Sequence, residues 1–292
     1  MTTPEHPPLH VLPVDGAGIQ YTDRGDGPTI LLIHAGVFSE WFAPLADGPT
    51  LDGFRVIRMI RAGYAAGPAP VGHVTVADHA AHCAALLDTL GIGHADVLAH
   101  SSGSVIALQL AVDRPELVDS LMLVEPPLID TLAAPEDLDL LRTRLGPVIG
   151  AAIGAATAGD LPAAFDAFMS VICGPDYRKI LGTTIGSDAL ARAERDCGFY
   201  FTDEMPAVGE WRFDEHLAAE IGQPVLLVQG GASPPLVHRL VAHLATMIPN
   251  TEIATIDGEN HLVPLRNPAA LAGVVTQFAR RHRAQRPPVM QR

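Results

Sequence analysis

The stretch Ala95-Asp96-Val97-Leu98-Ala99-His100-Ser101-Ser102-Gly103-Ser104 passes from a strand-like apolar run into four small residues, and an apolar helical pattern continues from Gly103 to Asp113. A sharp turn between such a strand and helix lifts the Ser101 hydroxyl clear of a sheet. It also aims the helix N-terminus at developing negative charge, and it leaves room only for small residues two places either side. Ala99 stands where glycine is usual, and alanine is still small. A five-residue pattern alone says little; its strand-turn-helix setting makes Ser101 a candidate nucleophile.

Outward from this junction, short runs rich in Val, Ile and Leu alternate with helical patterns, the signature of a mostly parallel sheet covered by helices. An N-terminal hairpin is expected from His10–Val14 and Gly18–Asp23. Further strands are expected at Thr29–His34, Phe54–Ile60, Ala95–His100, Ser120–Glu125, Pro224–Gln229 and Glu252–Ile256. Helices are expected over Val76–Leu90, Gly103–Asp113, Pro235–Met247 and Pro268–Arg283, with Gly91 as the stop after Leu86, Leu87 and Leu90. The gap from Pro126 to Gly222 is too long for a simple crossover. It is Ala-, Leu- and Asp-rich with helical periodicity, and its one strand-like run is Gly198–Thr202. The expected organisation is a core of residues 1–129 and 216–292, with residues 130–215 as a helical cap on the side of the sheet where open α/β sheets bind ligands.

Composition limits the classes of function. Of 292 residues 48% are hydrophobic, with 27 Gly and 25 Pro, which fits a globular chain and excludes a disordered one. The net charge of −14 argues against a nucleic-acid groove, which works by displacing counterions with basic side chains. Arg280 to Arg292 holds five arginines and no acid, and reads as a solvated terminus. Cys83, Cys173 and Cys197 are odd in number and far apart, so neither a disulfide framework nor a paired-ligand zinc site is indicated. No secretory signal is visible, and Leu145–Ala158 is glycine-broken and too short to span a bilayer. A cytoplasmic location without membrane association is expected.

Two further segments carry chemistry. The strand at Glu252–Ile256 leads into Asp257-Gly258-Glu259-Asn260-His261, and a histidine on the loop after the last strand can reach the tip of the Ser101 strand to take and return its proton. Among 13 histidines it alone has that position; His73, His79, His82 and His94 suit solvated or core roles, and the side chain of His100, next to Ser101, is expected to face away. Upstream, Thr29–Ile33 runs into His34-Ala35-Gly36-Val37. The Gly36 N–H would pair with the Ser102 N–H to hold an oxyanion.

With these motifs the chain resembles the α/β-hydrolases across nearly its whole length. The resemblance implies an eight-stranded, mostly parallel sheet with a helical cap after the sixth strand. In that family the acid that orients the histidine usually follows the next strand, but Gly230-Gly231-Ala232-Ser233 places Ser233 there. Glu125, at the end of Val124-Glu125-Pro126-Pro127, is the carboxylate able to approach the far nitrogen of His261, ahead of Asp257 and Glu259. Ser-Ser-Gly at the elbow, this Glu, and Gly-Ala-Ser-Pro in place of the usual acid resemble fungal lactone hydrolases of the zearalenone-hydrolase type, which implies a triad of Ser101, Glu125 and His261.

The reading is a cofactor-free serine hydrolase for a small apolar ester or lactone, with a second copy of the chain as a compatible partner. Carbon–carbon bond hydrolysis and a non-catalytic receptor remain as alternatives. Fluorophosphonate labelling of Ser101 separates enzyme from receptor. Phe165, Phe168, Met169, Phe199, Tyr200, Phe201 and Trp211, with Val37 beside the oxyanion loop, are candidates for the substrate wall. No HExxH or paired-ligand spacing suggests a metal.

Overall fold

The structure, a computed structural model, describes residues 7–14, 17–64 and 72–285. The N-terminal six residues and the basic end from residue 286 onward lie outside them, so the reading of that end as a solvated terminus rests only on residues up to 285. There, Arg283 does not simply face water: it packs back on the sheet, bonding Asp96 Oδ2 at 2.8 Å and the Thr29 carbonyl at 3.2 Å.

Eight strands, β1 (His10–Val14), β2 (Ala17–Arg24), β3 (Thr29–Ile33), β4 (Arg55–Ile60), β5 (Ala95–His100), β6 (Val118–Val124), β7 (Val225–Gly230) and β8 (Thr251–Ile256), form one sheet in the order β1-β2-β4-β3-β5-β6-β7-β8. β2 is antiparallel to both its neighbours, and every other pair is parallel. The three central strands β3, β5 and β6 are buried along their whole length, as strands covered on both faces must be. Alternation within β3 assigns its side chains to two layers. Leu31 and Ile33 pack with the helices Val76–Thr89 and Ser102–Asp113, while Ile30 and Leu32 pack with the last helix, Pro268–Ala284.

Local chemistry sets the helix ends. Thr75 and Asp78 cap the helix Val76–Thr89 reciprocally, Asp78 N–H to Thr75 Oγ1 at 3.1 Å and Thr75 N–H to Asp78 Oδ2 at 2.8 Å. Between β6 and β7 the chain runs as short helices, among them Gly146–Thr157, Leu161–Ile172, Tyr177–Thr184 and Ser187–Asp196. Gly159 and Gly186, at φ +82° and +85°, separate them with a backbone conformation other residues resist.

Gly198–Thr202 is no strand: its second half belongs to a wide π-helical turn, Tyr200–Glu204, that leads into the helix Met205–Glu210. An isolated strand would leave its backbone groups unpaired among cap helices, and a helical turn satisfies its own. No helix among the described residues is long and apolar enough to cross a membrane.

Candidate active site

Three adjacent strands end at the site, and the backbone is strained at each end. Among the described residues only Val37, Ser101, Glu125 and Asn250 are non-glycine residues with positive φ; the first three, at +73°, +50° and +47°, lie just past β3, β5 and β6. Such conformations persist only where the surroundings enforce them. The Ser101 N–H still bonds the Val124 carbonyl at 2.9 Å, and the Glu125 N–H bonds that of Val228 at 2.9 Å, so the sheet grips both residues while their side chains turn out of it. Glu125 thus falls one residue beyond its strand. At the elbow, a Cβ on Gly103 would come within 2.6 Å of the Ile33 and His34 carbonyl oxygens, which is why the helix can approach β3 only with glycine there.

Glu125 and His261, 136 positions apart, meet at 2.8 Å between Oε2 and Nδ1. With Nδ1–H donating to the carboxylate, the Nε2 lone pair is left for an incoming proton. Glu125 is 4% exposed. Burial alone would raise its pKa, but the bonds and charge of His261 and the donors Ser233 Oγ and Gly230 N–H (2.9 Å) hold the carboxyl below its ordinary value. Ser233 Oγ therefore donates to the Glu125 carboxylate. Sequence reasoning missed that role, although the departure at Ser233 was its visible trace. Gly230 is required for the approach, because a Cβ there would overlap the Glu259 backbone.

On the other side, His34 fixes the loop after β3. Its Nε2 accepts the Arg61 backbone N–H at 3.1 Å, so Nδ1 carries the proton and donates to the Ala35 carbonyl at 2.6 Å. In a trans peptide this turns the Gly36 N–H the opposite way. The Gly36 carbonyl is in turn held by Trp41 Nε1–H at 2.8 Å. Burial, then the Arg61 charge, pushes the His34 pKa well down and keeps the ring neutral. His100, expected to face away, packs instead against the His261 ring with centroids 4.5 Å apart. It is fully buried, held neutral chiefly by that burial, and braced by Trp41.

Ser101, Ser102, Glu125 and His261 open onto one mainly apolar cavity of about 690 Å³, also lined by the helices between β6 and β7 and within the size range of small-molecule sites. Tyr200, Trp211 and Phe168 line it. Phe199 and Val37 do not. Phe199 lies edge-on to Tyr64 and His79, and Val37 belongs, with Phe165, Met169 and Phe201, to the apolar cluster that joins the cap to the loop after β3. Aromatic residues in a small helical unit supply its own core before they supply a ligand wall.

Comparison with known proteins agrees with this architecture. A family model described as alpha/beta hydrolase fold matches residues 28–147. The 2-(acetamidomethylene)succinate hydrolase of Mesorhizobium japonicum is 26% identical over 267 residues, 88% of this chain and 89% of that protein. The dihydrolipoyllysine-residue acetyltransferase component of the acetoin cleaving system of Cupriavidus necator is 35% identical over 116 residues, which cover 39% of this chain and only 30% of that protein. Among solved structures, the enol-lactonase from Burkholderia xenovorans LB400 superposes with a TM-score of 0.73 at 20% identity, covering 92% of this chain and 99% of the other.

Proposed function

We propose that this chain, which has the α/β-hydrolase fold, is a serine hydrolase for a small apolar carboxylic ester or lactone, acting through an acyl-enzyme. The observation that carries the reading is the 2.8 Å contact of His261 Nδ1 with the buried Glu125 carboxylate, on the same cavity as a serine held at φ +50° on a strand-to-helix turn. A base and its orienting acid account for that pairing on the cavity that Ser101 also lines.

In this mechanism Ser101 Oγ attacks the carbonyl carbon while His261 Nε2 takes its proton. The Gly36 and Ser102 N–H groups bind the oxyanion, and Glu125 stabilises the imidazolium. Collapse expels the alcohol oxygen, which receives the proton from His261. Water, deprotonated by the same nitrogen, then attacks the acyl carbon, and collapse expels the Ser101 oxygen, which takes that proton back from His261. The apolar lining favours an apolar acyl or alcohol part. The relocated glutamate is the feature shared with lactone hydrolases of the zearalenone-hydrolase type.

The test is fluorophosphonate labelling with peptide mapping, together with turnover of a panel of esters and lactones. Labelling at Ser101 and hydrolysis that falls by about 10⁴-fold or more in Ser101→Ala are expected. A wild-type protein inert to both refutes the reading.

A further inference from the structure

The cap carries a second buried carboxylate, and it touches the elbow. Glu204, 1% exposed at the end of the turn Tyr200–Glu204, accepts from Ser102 Oγ at 2.6 Å and from Arg61 Nη2 at 3.0 Å through one oxygen. Its other oxygen accepts from Tyr64 Oη. Arg61 is fully buried just past β4, so both members of this ion pair are out of water. Four residues earlier in the same turn, the Tyr200 ring lies directly on Gly36, so close that a Cβ on the glycine would collide with it. One short piece of the cap therefore contacts both residues whose N–H groups face the reacting carbonyl in the mechanism above.

We propose that Glu204 is a positioning residue for the oxyanion site: through the Ser102 hydroxyl it fixes the elbow, while Tyr200 fixes Gly36, so the cap holds the two donors at the spacing the tetrahedral intermediate needs. The inference rests on the serine-hydrolase reading. A bare carboxylate so near an oxyanion would oppose it; Arg61 cancels that charge, which gives a buried arginine without substrate contact a reason to be there. Wide turns of this kind recur at functional sites, and here the widened turn brings Tyr200 and Glu204 onto the same underlying surface. Oxyanion donors act by preorganisation, so an error of an ångström in their placement costs rate far more than ground-state binding.

The test compares two variants that both remove the buried charges. Arg61→Met/Glu204→Gln keeps an oxygen able to accept from Ser102, and Arg61→Met/Glu204→Leu does not. Turnover of p-nitrophenyl butyrate is measured per active site, counted by fluorophosphonate labelling, with inhibition by octyl trifluoromethyl ketone, whose adduct with Ser101 bears the oxyanion.

The leucine variant is expected to lose about 30-fold in kcat with KM within about threefold, and to bind the ketone weaker by a similar factor. The glutamine variant is expected to stay within about threefold of wild type in kcat. Ser102→Ala leaves the ion pair intact and needs no repacking; it should show the same loss as the leucine variant and add nothing to it. Equal kcat in the two double variants, a loss confined to KM, or an undiminished kcat in Ser102→Ala overturns the proposal while leaving the hydrolase reading standing. A wild-type protein that neither labels nor turns over overturns both.

Discussion

Glu125 and Glu204 are both buried carboxylates beside the same strand-to-helix turn, and their partners make them different devices. Glu125 faces the His261 imidazole, accepting from Ser233 and Gly230 on one oxygen while the other meets the ring nitrogen. Glu204 faces Arg61, a cation that is never deprotonated, and spends its remaining capacity on two hydroxyls. A carboxylate opposite a titratable base can respond to a proton in transit. Opposite a guanidinium it is fixed in charge and can only hold geometry. Burial alone thus does not mark a reacting acid; the partner does.

The largest expected effect tests the responsive side. Glu125→Gln keeps the shape but not the acceptor for the histidine proton, and is expected to lower kcat by about 10³ to 10⁴-fold with the protein still folded by circular dichroism; near-normal turnover would give the acid's role to another residue. On the static side the damage is to stability. Arg61→Met alone strands Glu204 in the interior and is expected to lower the free energy of urea unfolding by about 3 to 5 kcal/mol, most of it regained in Arg61→Met/Glu204→Gln.

Three buried histidines lie near the partners of these carboxylates, Arg61 and His261. His34 and His79 have pKa values pushed well below 6.5 by burial and then by Arg61, and His100 by burial and then by His261. All three stay neutral in the fold where the unfolded chain takes up protons. Their contribution to stability is therefore complete above pH 6.5 and lost as the pH falls below it, by about 1.4 kcal/mol per histidine per pH unit. Urea midpoints at pH 7.5, 6.5 and 5.5 should fall about three times as far across the lower interval as across the upper; a level profile down to pH 5.5 contradicts the neutral assignment. The smallest effect sharpens the support of Glu125. Ser233→Ala removes one donor of two to its Oε1 and is expected to lower kcat about tenfold, whereas Asp257→Asn, on an exposed loop residue, should leave kcat within about twofold.

Much of the Glu125 side was legible along the chain. The histidine follows an apolar run, the glutamate ends one, and Ser233, where the resemblance implied an acid, turned the search to another carboxylate. The Glu204 side was not. Glu204 lies 102 positions from Ser102 and 143 from Arg61, in a segment whose aromatic neighbours gave it a strand-like look, and an ion pair across that distance has no local signature. The cavity lining was half legible for the same reason: Tyr200 and Trp211 line it, while Phe199 packs on Tyr64 and His79 and Val37 joins the apolar cluster around Phe165 and Phe201.

Periodicity and small residues in the sequence determined the eight strands, the elbow at Ser101 and the helical nature of the long connection, because each depends on residues within one turn or one strand of each other. The tertiary structure decided which oxygen meets which nitrogen: Glu125 on His261, Ser233 on Glu125, His34 on the Ala35 carbonyl, Glu204 between Arg61 and Ser102. Those contacts join segments that are neighbours only after the sheet has assembled and the cap has settled on it, and burial gives them their strength only then.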